Sequence, residues 1–167
     1  MKKRSLAIMG ALLCLTVMLG VFVACDGGNS DKNADSDIFQ IKYNGTAVEL
    51  GAKADTALSK LGEPASKQNT GNCGGLGETT RYDYSAFYMV VVDYEDGGKT
   101  VDRIELKNDA VETSKGIYIG SSEADVKSAY GEADSTTKST LIYKGEGKEL
   151  AIGITDGKVS SIVFRCV

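Results

Sequence analysis

A chain of 167 residues holds one ordinary domain, or two small ones sharing a core, and leaves no room for a large enzyme. It contains no His and no Trp, so His triads, His general bases and His metal ligands are excluded, and any catalysis would rest on carboxylates, Lys, Tyr, Ser or Cys. The net charge is −4, and loss of Lys2, Lys3 and Arg4 with a leader would take it to about −7, a balance that repels phosphate backbones and argues against nucleic acid as a partner.

Lys2, Lys3 and Arg4 precede an apolar run from Leu6 to Val23, the pattern of an export leader. The run ends in Phe22-Val-Ala-Cys25, which resembles the bacterial lipobox, with Phe22 where Leu is commonest. That resemblance implies cleavage before Cys25, acylation of Cys25, and a protein held by lipid on the extracytoplasmic face of the cell membrane. The alternative is an uncleaved signal anchor, since the run approaches the lower limit for a spanning helix. Residues 26–37 contain no apolar residue larger than Ala and read as a tether. With Cys14 lost in the leader and Cys25 lipidated, Cys73 and Cys166 remain. Two cysteines in an exported domain invite a disulfide worth about 4 kcal/mol, and a pair of unlinked thiols is the alternative.

The ordered part is expected from Ile38. Phe39 to Tyr43 alternates, Asn44-Gly45 is a hairpin turn signal, and Thr46 to Leu50 alternates back. Ala54, Ala57, Leu58 and Leu61 form the stripe of a short helix, which Gly62 ends and Pro64 keeps from resuming. The glycine-rich stretch around Cys73 superficially suggests a phosphate loop, but Thr79 to Tyr84 after it reads as a strand, so it is expected to be a loop. Phe87 to Tyr94 is apolar on both faces, as in a central strand, and a turn at residues 95–99 leads into Thr100 to Leu106. A second helix follows, capped by Ser122 with Asp125 three residues on and stopped by Gly131. Strands are then expected at Leu141 to Tyr143, Leu150 to Ile154 and Val159 to Cys166.

Helix, glycine stop, loop, strands and a Gly-Lys turn thus occur twice, the pattern of an internal duplication. The expected fold class is α+β: a tandem repeat of a short helix plus an antiparallel three-stranded meander, with the helices packed on one face of the sheet. The expected organisation is a signal peptide over 1–24, the acylated Cys25 and tether over 25–37, a first repeat with its hairpin over 38–110, and a second over 111–167. Gly51 through Pro64, Gly120 through Gly131 and the closing turns before Ile104 and Ile162 resemble the small outer-membrane lipoprotein A family and the tandem-repeat β-lactamase inhibitory proteins. Leader, tether and domain together are similar to uncharacterised lipoproteins of Gram-positive gut bacteria. The resemblance implies protein binding in the cell envelope rather than catalysis. It carries over no contact residue.

Tyr82 and Tyr84 share a strand face, as do Tyr88 and Tyr94, and Tyr143 occupies the corresponding strand of the second half. A sheet face lined with these five rings would suit a protein partner, and core packing is the competing reading. Asp93, Glu95 and Asp96 form an acidic turn, read as solvated rather than metal-binding. Ser135 and Lys138 match a Ser-x-x-Lys pattern without its partner motifs, and Asn44-Gly45-Thr46 matches a glycosylation sequon better explained as a turn. No catalytic residue, cofactor or metal is expected. The alternative to a binding module is a small carboxylate-dependent hydrolase or small-ligand-binding protein.

Overall fold

The computed structural model describes residues 36–72, 77–95 and 97–167. A 3-10 turn, Ser36–Phe39, leads into the hairpin of β1 (Gln40–Tyr43) and β2 (Thr46–Glu49). Asn44 and Gly45 both take positive φ, 48° and 75°, which gives the tight turn a two-residue hairpin needs. Helix α1 (Ala54–Leu61) follows, then a meander of β3 (Ser66–Asn72), β4 (Glu78–Asp83), β5 (Phe87–Tyr94) and β6 (Gly98–Leu106). The short β7 (Glu112–Thr113) precedes α2 (Glu123–Tyr130). A second meander then comprises β8 (Ser135–Thr137), β9 (Thr140–Gly145), β10 (Lys148–Thr155) and β11 (Lys158–Cys166).

The two meanders join edge to edge. β6 pairs with β11, giving one antiparallel eight-stranded sheet in the order β3-β4-β5-β6-β11-β10-β9-β8. A separate three-stranded sheet, β2-β1-β7, is laid over one face of it. Ile41, Val48 and Thr113 face each other across the small sheet and are fully buried, together with Phe39 and Leu50 at its ends. Beneath them the large sheet supplies a continuous cross-strand row: Tyr82, Met89, Ile104, Phe164, Leu150 and Tyr143. Each is at most 7% exposed, so this face is the core. The Tyr43 ring meets Phe87 edge-on at 5.1 Å and so pins the small sheet to β5.

This overturns the expected α+β fold class. The domain is mostly β, and its helices do not form the covering layer. An eight-residue helix is about 12 Å long. An eight-stranded sheet is about 34 Å wide at a strand spacing of about 4.8 Å, so two such helices cannot cover it. Only Ala54 and Ala57 of α1 and Val126 of α2 are buried. The helices are ribs beside the small sheet, each hooked at its start to a long strand. Lys53 bridges to Thr100 of β6, and Ser122 bridges to Lys158 of β11. The expected three-stranded meanders are also corrected to four, because the polar β3 and β8 each add an edge strand.

Candidate functional site: the open face of the large sheet

Side chains alternate across a strand, so the row next to the core row points the other way, where no layer covers it among the described residues. Register makes this open row Gln68, Arg81, Val90, Arg103, Arg165, Glu149 and Lys144, from β3 to β9. The next row on the same face contains Asp83, Tyr88, Glu105, Val163, Ala151 and Ile142. Arg81, Arg103 and Arg165 are all the arginines of the described domain; the remaining one is Arg4.

A connected network holds these groups in place. Arg81 donates to Asp83 through Nε at 2.7 Å and Nη2 at 2.8 Å, the forked geometry that suits a planar guanidinium. Its Cζ sits 3.7 Å from the centre of the Tyr88 ring, a cation stacked on an aromatic face. The Tyr88 hydroxyl donates to Glu105, which also accepts from Arg103 Nη2 at 2.9 Å. Further along, Arg165 donates to Glu149 across β11 and β10, and Lys107 reaches Asp83 at 3.6 Å. The Nε of Arg103 is buried with no acceptor.

The electrostatics follow from this geometry. The hydrogen bonds from Arg81 hold the Asp83 carboxyl below its ordinary value, against the opposing pull of desolvation. Burial pushes Glu105 up, but the donors on Tyr88 and Arg103 outweigh it and leave it below its usual range. Burial, then the bond to Glu105, raises Tyr88. The face therefore stays ionised and ordered through neutral pH.

The five sequence-predicted tyrosines are not brought together. Tyr82, Tyr84 and Tyr143 lie in the core, with Tyr84 stacked on Phe87 at 4.9 Å and the Tyr143 hydroxyl donating to the Gly131 carbonyl at 3.2 Å. Tyr88 is on the open face, and Tyr94 is half-buried near Asp102. A bulge between β5 and β6 leaves Asp102 without an opposite number. There it contacts Cys166, and burial raises both groups above their ordinary values. Cys25 and Cys73 lie outside the described residues, as does Asp96 of the acidic turn. Cys166 has no disulfide partner among the described residues. Neither a group of metal-ligating side chains nor a helix able to cross a membrane occurs among them.

Sequence reasoning missed the arginine row. Each arginine occupies an ordinary polar position of an alternating strand, and only strand order puts the three side by side. The concave features lie elsewhere. A groove of about 530 Å³ runs between the end of α1 and β4, lined by Leu58, Pro64, Lys67 and Tyr82. An adjoining cleft of about 210 Å³ is lined by Glu78, Asp93, Lys67 and Lys99.

No family model matches the chain, and no curated protein does. Among solved structures, the chain is similar to a cysteine-rich secretory protein (SAV1118) from Staphylococcus aureus subsp. aureus Mu50, at 14% identity and a TM-score of 0.37. The match covers 70% of this chain and 44% of that one, a likeness too loose to carry fold or function across.

Proposed function

We propose that this chain is a non-enzymatic binding module, held at the extracytoplasmic face of the membrane by lipid on Cys25, which offers the open face of its large sheet to a protein partner. The observation that carries this reading is the composition of that face. Guanidinium groups, a tyrosine and half-buried Val90, Val163, Ala151 and Ile142 alternate across neighbouring strands. Arg and Tyr are the residues that carry most binding energy in protein interfaces, and apolar side chains between them exclude water. The network already fixes Arg81, Tyr88 and Arg103, so little side-chain freedom is left to lose on association.

A photo-crosslinking residue placed at Val90 or Val163 in living cells is expected to trap a protein adduct, whereas the same residue at Lys42, on the small sheet, is not. Adducts at Lys42 with none at Val90 and Val163 would move the binding face elsewhere. The anchor is tested separately. Cys25→Ala is expected to abolish labelling by a fatty-acid analogue, and equal labelling of wild type and variant would refute lipidation there.

A further inference from the structure

Resting on that reading of the open face, we infer that the surface it binds is an acidic one on a protein partner, with carboxylates spaced to the arginine row. Arg103 and Arg165 are directly opposite each other on β6 and β11, and Arg81 is two strands from Arg103 with Val90 between. At about 4.8 Å per strand, the positive groups are rooted about 5 Å apart and then about 10 Å further on. Like charges opposite each other on adjacent strands are destabilising. The fold nonetheless places Arg103 against Arg165, at a position where a neutral polar residue would serve the sheet better.

The internal carboxylates do not use up this donor capacity. Each guanidinium has five N–H groups. Asp83 takes two from Arg81, Glu105 takes one from Arg103 and Glu149 takes one from Arg165. Lys107 and Lys144 at its borders bring the cations to five, against the carboxylates of Asp83, Glu105, Glu149 and Asp134, the last accepting from the Lys144 amide, on a chain whose net charge is −4. The positive excess is therefore concentrated against the sign of the whole protein, and this complementarity selects an acidic partner and speeds its encounter. An anionic membrane is the less suitable occupant. The chain enters the domain through Ser36–Phe39, which packs under the small sheet against β10, on the side away from this face.

The test uses the acylated full-length protein in detergent and immobilised poly-L-glutamate as the probe, with immobilised polyphosphate and immobilised glycerol phosphate, a phospholipid headgroup without its chains, as comparators. Retention on poly-L-glutamate is expected to weaken with salt and to fall about tenfold in Arg103→Gln/Arg165→Gln, with polyphosphate and glycerol phosphate held less well. Arg165→Gln alone, at a half-exposed position, gives a smaller loss and serves if the double variant does not fold. Arg165→Lys is expected to recover only part of the retention, because an ammonium keeps the charge and loses the fork. Retention unchanged by these substitutions, equal binding to polyphosphate or glycerol phosphate, or self-association abolished by Arg103→Gln/Arg165→Gln would each overturn the inference. Adducts at Val90 and Val163 without binding to poly-L-glutamate would remove the acidic partner and leave the binding face standing. Absence of those adducts would remove the face itself.

Discussion

Asp83 and Glu105 are the residues through which pH reaches the open face. Both carboxyls are held below their ordinary values of 3.8 and 4.5 in the folded protein, so the folded state binds protons less readily than the unfolded chain. Their contribution to stability is complete above those ordinary values and is lost as pH falls through the lower folded ones. Urea midpoints are therefore expected to be flat from neutrality down to about pH 5 and to drop below about pH 4. In Asp83→Asn the acid drop should be shallower. Equal acid slopes in wild type and variant would show that Arg81 does not depress the group. Tyr84 poses a different single-residue question, since its hydroxyl is buried without a hydrogen-bond partner. Tyr84→Phe removes that unpaired group and keeps the ring on Phe87, and is expected to leave stability unchanged or raise it by about 1 kcal/mol in chemical denaturation. Sequence alternation grouped Tyr82 with Tyr84, which are both buried, but it does not reveal which face of a strand will be covered. Partners from other segments decided that: Tyr84 lies against Tyr43 of the small sheet, with ring centres 6.4 Å apart, and Tyr143 against Tyr130 of α2 at 5.1 Å.

The helices were legible because their ends carry explicit chemistry. The Ser122 side chain accepts from the Asp125 amide at 3.1 Å and the Asp125 carboxylate accepts from the Ser122 amide, the reciprocal cap its spacing predicts. The glycine stops were also legible, though their geometry is stricter than a left-handed cap. Gly62 has φ 73°, ψ −166° and Gly131 has φ 79°, ψ −160°, a region open to glycine almost alone. No neighbour lies within 4 Å of a Cβ built at either position, so the cost of substitution is backbone strain rather than a clash. Gly62→Val and Gly131→Val are each expected to lose about 1 to 3 kcal/mol in denaturant titrations. Asn, which tolerates an ordinary left-handed cap, should not rescue stability at either position. Full recovery by Asn would place these residues in the common cap instead. β3 was not legible: Ser66–Asn72 has no apolar residue and every position is exposed. It is a strand because β4 offers it a row of backbone partners, information that sits in another segment.

For the molecule as a whole, strand order bears on the expected Cys73–Cys166 bond, whose first member lies outside the described residues. Asn72, the neighbour of Cys73, is in register with Glu78, Asp93 and Lys99 across β3 to β6, and β11 is one strand further. Four intervals amount to about 19 Å along the sheet, whereas bonded cysteines need Cα atoms within about 7 Å. Cys166 is accordingly expected to take up an alkylating reagent in denaturant without reductant, read by intact mass. Protection of Cys166 would mean that the β3 edge is drawn back over the sheet. Native labelling should be slow, since burial and the nearby Asp102 push the thiol above 9.0. The covering layer was not legible in the sequence, because the hairpin that supplies it precedes the first helix and its partner β7 is only two residues long.

The junction of β6 with β11 rests on three residue pairs, Glu105 with Val163, Ile104 with Phe164 and Arg103 with Arg165, although the two strands are far apart in sequence. The hairpins on either side close over short turns and can form in microseconds, whereas this long-range closure is expected to follow them. The open face thus has a history in time as well as a position. Arg81 and Tyr88 come together when one meander folds, Arg165 and Glu149 when the other does, and Arg103 meets Arg165 only at the last step. A folding chain would have two half-surfaces before it has a whole one.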